Sequence, residues 1–146
     1  MPHVAVDYDK STEAPIGKWV CAPGSDLGPF DEAPTENLLQ PNYCGQCVSY
    51  VKRVCPSLRN TATLNWKKGD LAKGNENIKQ GTVIATFDKN DKYFGHAAVY
   101  VSQDKTALYV YDQYIYGSKP KGVGPRPLRF KAVGAVNDGD LFYIVD

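Results

Sequence analysis

The segment Asn42-Tyr43-Cys44-Gly45-Gln46-Cys47-Val48-Ser49-Tyr50-Val51-Lys52 reads as a loop that turns into a helix. Gly45-Gln46 makes the turn and delivers Cys47 to the first helical turn. Cys44, Val48, Val51 and Cys55 recur at i, i+4, i+7 and i+11, the stripe of a helix with one buried face. Ser49, Lys52 and Arg53 lie on its other faces. The spacing predicts a helix over 44–55, ended by Pro56, which disfavours helical geometry in the residue before it. A cysteine at a helix N-terminus meets backbone N–H groups without intrahelical acceptors and the positive end of the helix dipole, and both favour its thiolate.

Beyond the helix the pattern changes. Residues 57–80 read as a loop or short helix anchored by Trp66 and Ile78. Runs rich in Val, Ile, Tyr and Phe follow at 82–87, 96–102, 107–114, 128–132 and 141–145, separated by Gly, Asp and Asn. The connections are too short for crossover helices, so neighbouring strands are expected to be antiparallel. A helix followed by a run of strands predicts an α+β fold, with an N-terminal catalytic helix packed on an antiparallel sheet of about five strands. Upstream, residues 1–41 hold six of the ten prolines. They read as an irregular arm, with one short strand near 4–6, that packs on the body through Trp19, Val20, Cys21 and Phe30. The expectation is one domain over 1–146.

The strand at 96–102 opens with a histidine, in Gly95-His96-Ala97-Ala98-Val99-Tyr100-Val101. The chain has two histidines, and His3 falls in the arm, so His96 is the candidate base for Cys47. A third member comes from counting. If the hairpin closes symmetrically about Asp104, Val101 faces Ala107, Ala98 faces Val110 and His96 faces Asp112. Facing residues point to one side with Cβ atoms about 5 Å apart. Asp112 would then hold one imidazole nitrogen and leave the other for the thiol. A one-residue slip would bring Gln113 opposite instead, which makes Gln113 the second candidate for the orienting role. An acid inside Val110-Tyr111-Asp112-Gln113-Tyr114 needs a partner in any case.

The 146 residues carry 42% hydrophobic and 23% charged side chains and a net charge of +1, ordinary for a soluble globular protein. Nothing global points to a nucleic-acid or membrane partner, and no apolar run approaches the roughly 20 residues of a membrane helix. The start, Met1-Pro2-His3-Val4-Ala5-Val6-Asp7, lacks the basic and apolar regions of a signal peptide, which predicts a protein that stays in the cytoplasm by the general secretory route. Charge is uneven. Residues 1–43 carry seven acids against Lys10 and Lys18, and between Asp112 and Asp138 there are five bases and no acid. That basic run reads as a solvated loop or as a wall that meets an anionic substrate or acidic partner.

Cys44-x-x-Cys47 admits other readings. A zinc site would need two further ligands from Cys55, Cys21 and His96, but the usual second ligand pair is missing. A thioredoxin-like redox pair expects a βαβ context, which is absent. The sequence requires neither metal nor organic cofactor. Cys44 fits a core residue or half of a disulfide with Cys21 or Cys55.

Gly45-Gln46-Cys47-Val48-Ser49-Tyr50 resembles the Gly-Gln-Cys-Thr-Trp-Tyr signature of CHAP amidases, and Gly95-His96-Ala97-Ala98-Val99 resembles their Gly-His-Val-Ala-Val strand. CHAP and NlpC-type enzymes are papain-like cysteine peptidases that cut peptidoglycan amides. The layout over 42–145, with the run 78–87 before the His strand and Tyr111-Asp112-Gln113-Tyr114 after it, resembles the small amidase effectors of type VI secretion systems. The resemblance implies peptidoglycan stem peptides as substrate, a cognate immunity protein and a secretion-system component as partners, and delivery to the periplasm of a target bacterium. CHAP enzymes commonly place Glu or Asn after the His, where this chain offers Asp112 and Gln113. In the expected mechanism the Cys47 thiolate attacks an amide carbonyl, and the backbone N–H of Cys47 with a donor from Tyr43 or Gln46 holds the oxyanion. The same constellation could transfer an acyl group or deamidate a protein glutamine. A binding module with structural cysteines is the non-catalytic alternative.

Overall fold

A computed structural model describes residues 1–33, 41–116 and 119–146. Part of the expected arm, residues 34–40, lies outside the described residues. Two short strands, β1 (Trp19–Val20) and β2 (Phe30–Asp31), pair antiparallel ahead of the helix α1 (Cys47–Val54). Six strands follow: β3 (Lys68–Leu71), β4 (Val83–Phe87), β5 (Tyr93–Gln103), β6 (Ala107–Tyr114), β7 (Lys121–Arg129) and β8 (Tyr143–Val145). They form one sheet in the order β3-β8-β4-β5-β6-β7 with antiparallel neighbours. The fold is α+β, as expected. The helix is not the first element of the chain, because the β1–β2 pair precedes it, and the large sheet has six strands rather than about five.

Alternation along the central strands builds two cores. Val83, Ala85, Ala97, Val99 and Val145 face α1 and pack with its Tyr50, Val51 and Val54. Ile84, Ala98, Tyr100, Leu108, Val110 and Leu128 face the other way and pack with Phe142. Trp66 joins the first core and Ile78 borders the second, the anchoring roles expected of them.

The helix starts at Cys47, three residues later than its apolar spacing predicts. Gly45 sits at φ 88°, a left-handed value that breaks the helical path, and Cys44 is tied by a disulfide to Cys21. The buried face turns with the later start. Tyr50, absent from the expected stripe, is fully buried and donates its O–H to Tyr8 O at 2.9 Å, while Val48 is only half-buried. Arg53 also reaches inward and donates to the carbonyls of Cys21 and Ala22.

The arm is laid along sheet and helix by its backbone. Val83 N–H donates to His3 O, Ala5 N–H to Gly81 O and Val6 N–H to Val54 O. The strand expected near residues 4–6 is a single bridge, Val4 to Thr82. The last two strands differ most from expectation. Residues 128–132 were to form a strand, yet β7 covers Lys121–Arg129 despite Pro125 and Pro127. It lies at the end of the sheet order, and an edge strand tolerates residues that cannot donate. Residues 139–141 form a 3-10 turn, so β8 begins at Tyr143.

Candidate active site

Gly45 makes the turn into α1 because no other residue fits there. Besides its positive φ, a Cβ at this position would lie 2.2 Å from Ile115 Cγ2 and 3.0 Å from Trp19 Cδ1. The turn leaves Gln46 as an extended N-cap and Cys47 as the first helical residue, half-buried, with its backbone N–H among those the first turn leaves without an intrahelical acceptor.

His96 reaches the thiol by way of a bulge. Ala85 pairs with Ala97 and Phe87 with Tyr93, so one residue of β4, Thr86, stands opposite residues 94–96 of β5. Thr86 Oγ1 bridges the bulge, accepting from His96 N–H at 2.9 Å and donating to Phe94 O. Gly95 makes the bend at φ 111°, where a Cβ would meet Thr86 Oγ1 at 2.5 Å. Bulges of this kind re-aim a side chain at the end of a ladder.

The β5–β6 register corrects the expected one. The turn pairs Gln103 with Leu108 and Ser102 with Tyr109. Past a bulge at Val101, Tyr100 pairs with Val110 and Val99 with Tyr111. The turn is three residues out from symmetric closure because Asp104 opens the loop instead of centring it. Its carboxylate accepts from Thr106 N–H at 2.8 Å, Ala107 N–H at 3.1 Å and Tyr109 O–H at 2.6 Å. The bulge takes one residue back. A net shift of two is even, so His96 and Asp112 keep a common face, with Asp112 diagonal to His96 rather than opposite it. His96 Nε2 and Asp112 Oδ2 lie 2.7 Å apart, both residues fully buried, and Nδ1 is left as the nitrogen available to the thiol.

Gln113, the other orienting candidate, points to the opposite face. Its Oε1 accepts from Val20 N–H at 2.7 Å, and its Nε2 donates to Val20 O at 2.9 Å and Gln46 O at 2.8 Å. It clamps β1 to the start of α1. Tyr43, at φ 46°, accepts through its carbonyl from Ser49 O–H at 2.7 Å and from Gln46 N–H at 3.3 Å. The backbone donor of Gln46 is therefore engaged with Tyr43.

Three residues at the site escaped the sequence reading. Tyr93 places its hydroxyl 3.3 Å from Cys47 Sγ. Arg126 donates from Nε to Asp112 at 3.1 and 2.9 Å, and Lys121 Nζ lies 3.3 Å from Asp112 Oδ1. The basic run is thus neither only a solvated loop nor only an outer wall, since two of its five charges turn onto a buried carboxylate. The signal for that pair was the acid itself. A carboxylate among apolar strand residues followed by an acid-free run of bases calls for compensation by more than one imidazole.

The electrostatics follow from these contacts. Burial pushes the Cys47 thiol up, but the charge and hydrogen bond of His96, the Tyr93 hydroxyl and the Ala97 N–H outweigh it and bring the thiol below its usual value. Burial pulls His96 down, yet the Cys47 thiolate and Asp112 raise it to about 9. Asp112 is pushed up by burial and held down, to about 2, by His96 and Arg126. These contacts favour the thiolate at Cys47 and the imidazolium at His96, with a carboxylate behind. Cys55 contrasts with this: it is buried, and its thiol is pushed up. The Cys21–Cys44 disulfide takes two thiols out of the ligand set that zinc would need.

Residues 31–145 match the family described as domesticated amidase effector 2. The chain is 39% identical to domesticated amidase effector 2 of Ixodes scapularis, over 69% of this chain and 70% of that protein. It is 30% identical to the type VI secretion amidase effector 2 protein of Salmonella typhi, over 69% of this chain and 84% of that protein. A solved structure of type 6 secretion amidase effector 2 superposes with a TM-score of 0.56 at 27% identity, over 69% of this chain and 80% of that one.

Proposed function

The chain belongs to the domesticated amidase effector 2 family, and we propose that it hydrolyses amide bonds in peptidoglycan stem peptides or their cross-links with Cys47 as nucleophile, His96 as acid and base, and Asp112 as the group that orients the imidazole. The observation that carries this reading is geometric: Cys47 opens α1 and meets an imidazole that the buried Asp112 carboxylate holds from behind at 2.7 Å, and that contact brings the thiol down. A cysteine opening a helix against a strand histidine is the papain-like arrangement of CHAP and NlpC-type enzymes, and the reading extends that likeness to this chain.

In the proposed reaction the Cys47 thiolate adds to the amide carbonyl, forming the C–S bond and an oxyanion. Collapse breaks the C–N bond, and the amine leaves with the proton from His96. Neutral His96 then takes a proton from water, the hydroxide adds to the thioester carbonyl, and the C–S bond breaks to release the carboxylic acid and restore the thiolate beside imidazolium. The helix N-terminus supplies the Cys47 N–H to the oxyanion. Two openings lie beside neighbours of the pair, one at Tyr114, whose ring packs against His96, and one at Gln46 and Val48, which flank Cys47. One, of about 380 Å³, is lined by Tyr114, Tyr116, Lys119 and Asn137. The other, of about 180 Å³, is lined by Tyr43, Gln46, Val48 and Lys52.

Delivery follows the relatives. The likeness to the type VI secretion effector of Salmonella typhi supports passage through a type VI secretion machine, and a target periplasm and a cognate immunity protein rest on the resemblance of the Cys and His motifs. The disulfide supports a working place that is oxidising. No described helix is long and apolar enough to cross a membrane.

The test is digestion of purified sacculi followed by mass spectrometry of the soluble fragments. Wild type is expected to release muropeptides with new amine and carboxyl ends, and Cys47→Ala none. Fragments released equally by Cys47→Ala would end the reading. Intact sacculi together with a mass change on a protein glutamine would favour the acyl-transfer or deamidase alternative.

A further inference from the structure

Tyr93 has no part in the constellation read from the sequence, yet its hydroxyl is the side-chain oxygen that meets the reacting sulfur, at 3.3 Å. It lies on β5, three residues ahead of His96, just across the bulge that throws the imidazole toward the thiol. The half-buried ring packs edge-on against Trp66 at 5.1 Å between centroids. Trp66 is itself buried and pinned by a hydrogen bond from Nε1 to Thr61 O at 3.2 Å. The hydroxyl is therefore held in place before substrate arrives. Burial and the neighbouring Cys47 charge push the phenol far up, so it stays protonated and able to donate. Of the donors expected from the sequence, the Gln46 backbone N–H is taken by Tyr43 O at 3.3 Å.

Resting on Cys47 as nucleophile, we propose that Tyr93 is a catalytic residue, the side-chain donor of the oxyanion site opposite the Cys47 backbone N–H. At rest its O–H bonds the thiolate. When sulfur adds to the carbonyl, the negative charge moves from sulfur to an oxygen one bond away from the new C–S bond, and a donor already at hydrogen-bond distance from the sulfur can follow it with a small rotation. Tyr93 keeps its proton throughout. The C–S bond forms, the carbonyl π pair becomes the oxyanion, and the carbonyl returns when the C–N bond breaks and the amine leaves with the His96 proton. The barrier falls by the amount by which the Tyr93 bond to the oxyanion exceeds its bond to the resting thiolate.

The experiment is Tyr93→Phe, which keeps the ring on Trp66 and deletes only the hydroxyl, assayed with wild type and Cys47→Ala on a synthetic stem peptide. For Tyr93→Phe, kcat is expected to fall by about 10²-fold with KM within about twofold, the size seen when one oxyanion donor is removed. The pH midpoint for alkylation of Cys47 is expected to rise, and the near-ultraviolet dichroism of the folded protein to stay unchanged. A kcat within about threefold of wild type, or a loss confined to KM, would overturn the proposal. So would a raised alkylation midpoint with kcat unchanged at a pH where the thiol is fully ionised, because the hydroxyl would then serve the thiolate alone. An inactive Cys47→Ala beside a fully active Tyr93→Phe removes this inference and leaves the amidase reading intact. An active Cys47→Ala removes both.

Discussion

Asp112 is a buried carboxylate with three cationic neighbours, and its chemistry sets that of the pair in front of it. Replacing it with Asn keeps the shape, removes the charge and presents His96 with an amide that can enforce the wrong tautomer. Asp112→Asn is expected to cut kcat by roughly 10²–10⁴-fold in steady-state assays, by analogy with loss of the orienting acid in a catalytic triad. The same carboxylate governs acid stability. Its folded value, about 2, lies below the ordinary 3.8. It therefore stabilises the fold fully above that ordinary value and loses this contribution, roughly 2 kcal/mol, as pH falls toward the folded value. Urea denaturation at pH 5 and pH 2.5 is expected to show a larger acid loss for wild type than for Asp112→Asn. The meeting of Cys47 and His96 was legible because a glycine makes the turn or bend just ahead of each. Tyr93 was not, since a tyrosine before a strand histidine looks like any strand aromatic until the fold lays it on the thiol.

Among elements, α1 and the loop before it are held by three devices: the Gly45 turn, the Cys21–Cys44 disulfide and the Gln113 clamp on Val20 and Gln46. A bridge between residues 23 apart is worth about 3 kcal/mol by loop entropy. The Cys21→Ser, Cys44→Ser double variant is expected to unfold with that loss in urea, and its stability should no longer respond to reductant. On β7, Arg126 joins Asp112 to the loop at Val136 and Asn137. Arg126→Met removes one partner of a buried charge and is expected to destabilise by about 3 kcal/mol in the same measurement. Element type was legible where apolar residues alternate, and the strand expected at 107–114 coincides with β6. Lys68-Gly69-Asp70-Leu71 was not legible, because β3 is a polar edge strand whose pairing is dictated by β8 and not by its own side chains. Register failed by three residues at the β5–β6 turn, and by two beyond the bulge, for a comparable reason: the side chain of Asp104 decides where the loop begins, and symmetric counting cannot see it.

At the scale of the molecule, sheet and helix meet so that residues remote in sequence share one chemical environment. The sheet brings β7 alongside β6, so the basic run neutralises Asp112. Lys119 remains exposed at the mouth of the larger opening, where Lys119→Glu is expected to raise KM for an anionic stem peptide several-fold with kcat retained. The acidity of Cys47 is likewise a property of the folded chain and not of the helix alone. That dependence can be read by alkylating native and urea-unfolded protein with iodoacetamide across pH and mapping the modified peptide, with buried Cys55 as internal reference. The midpoint for Cys47 is expected to lie below the ordinary cysteine value, about 8.5, in the native protein. It should return to that value on unfolding and rise in native His96→Ala. A native Cys47 that titrates at or above its unfolded midpoint, indifferent to the loss of His96, would contradict the account.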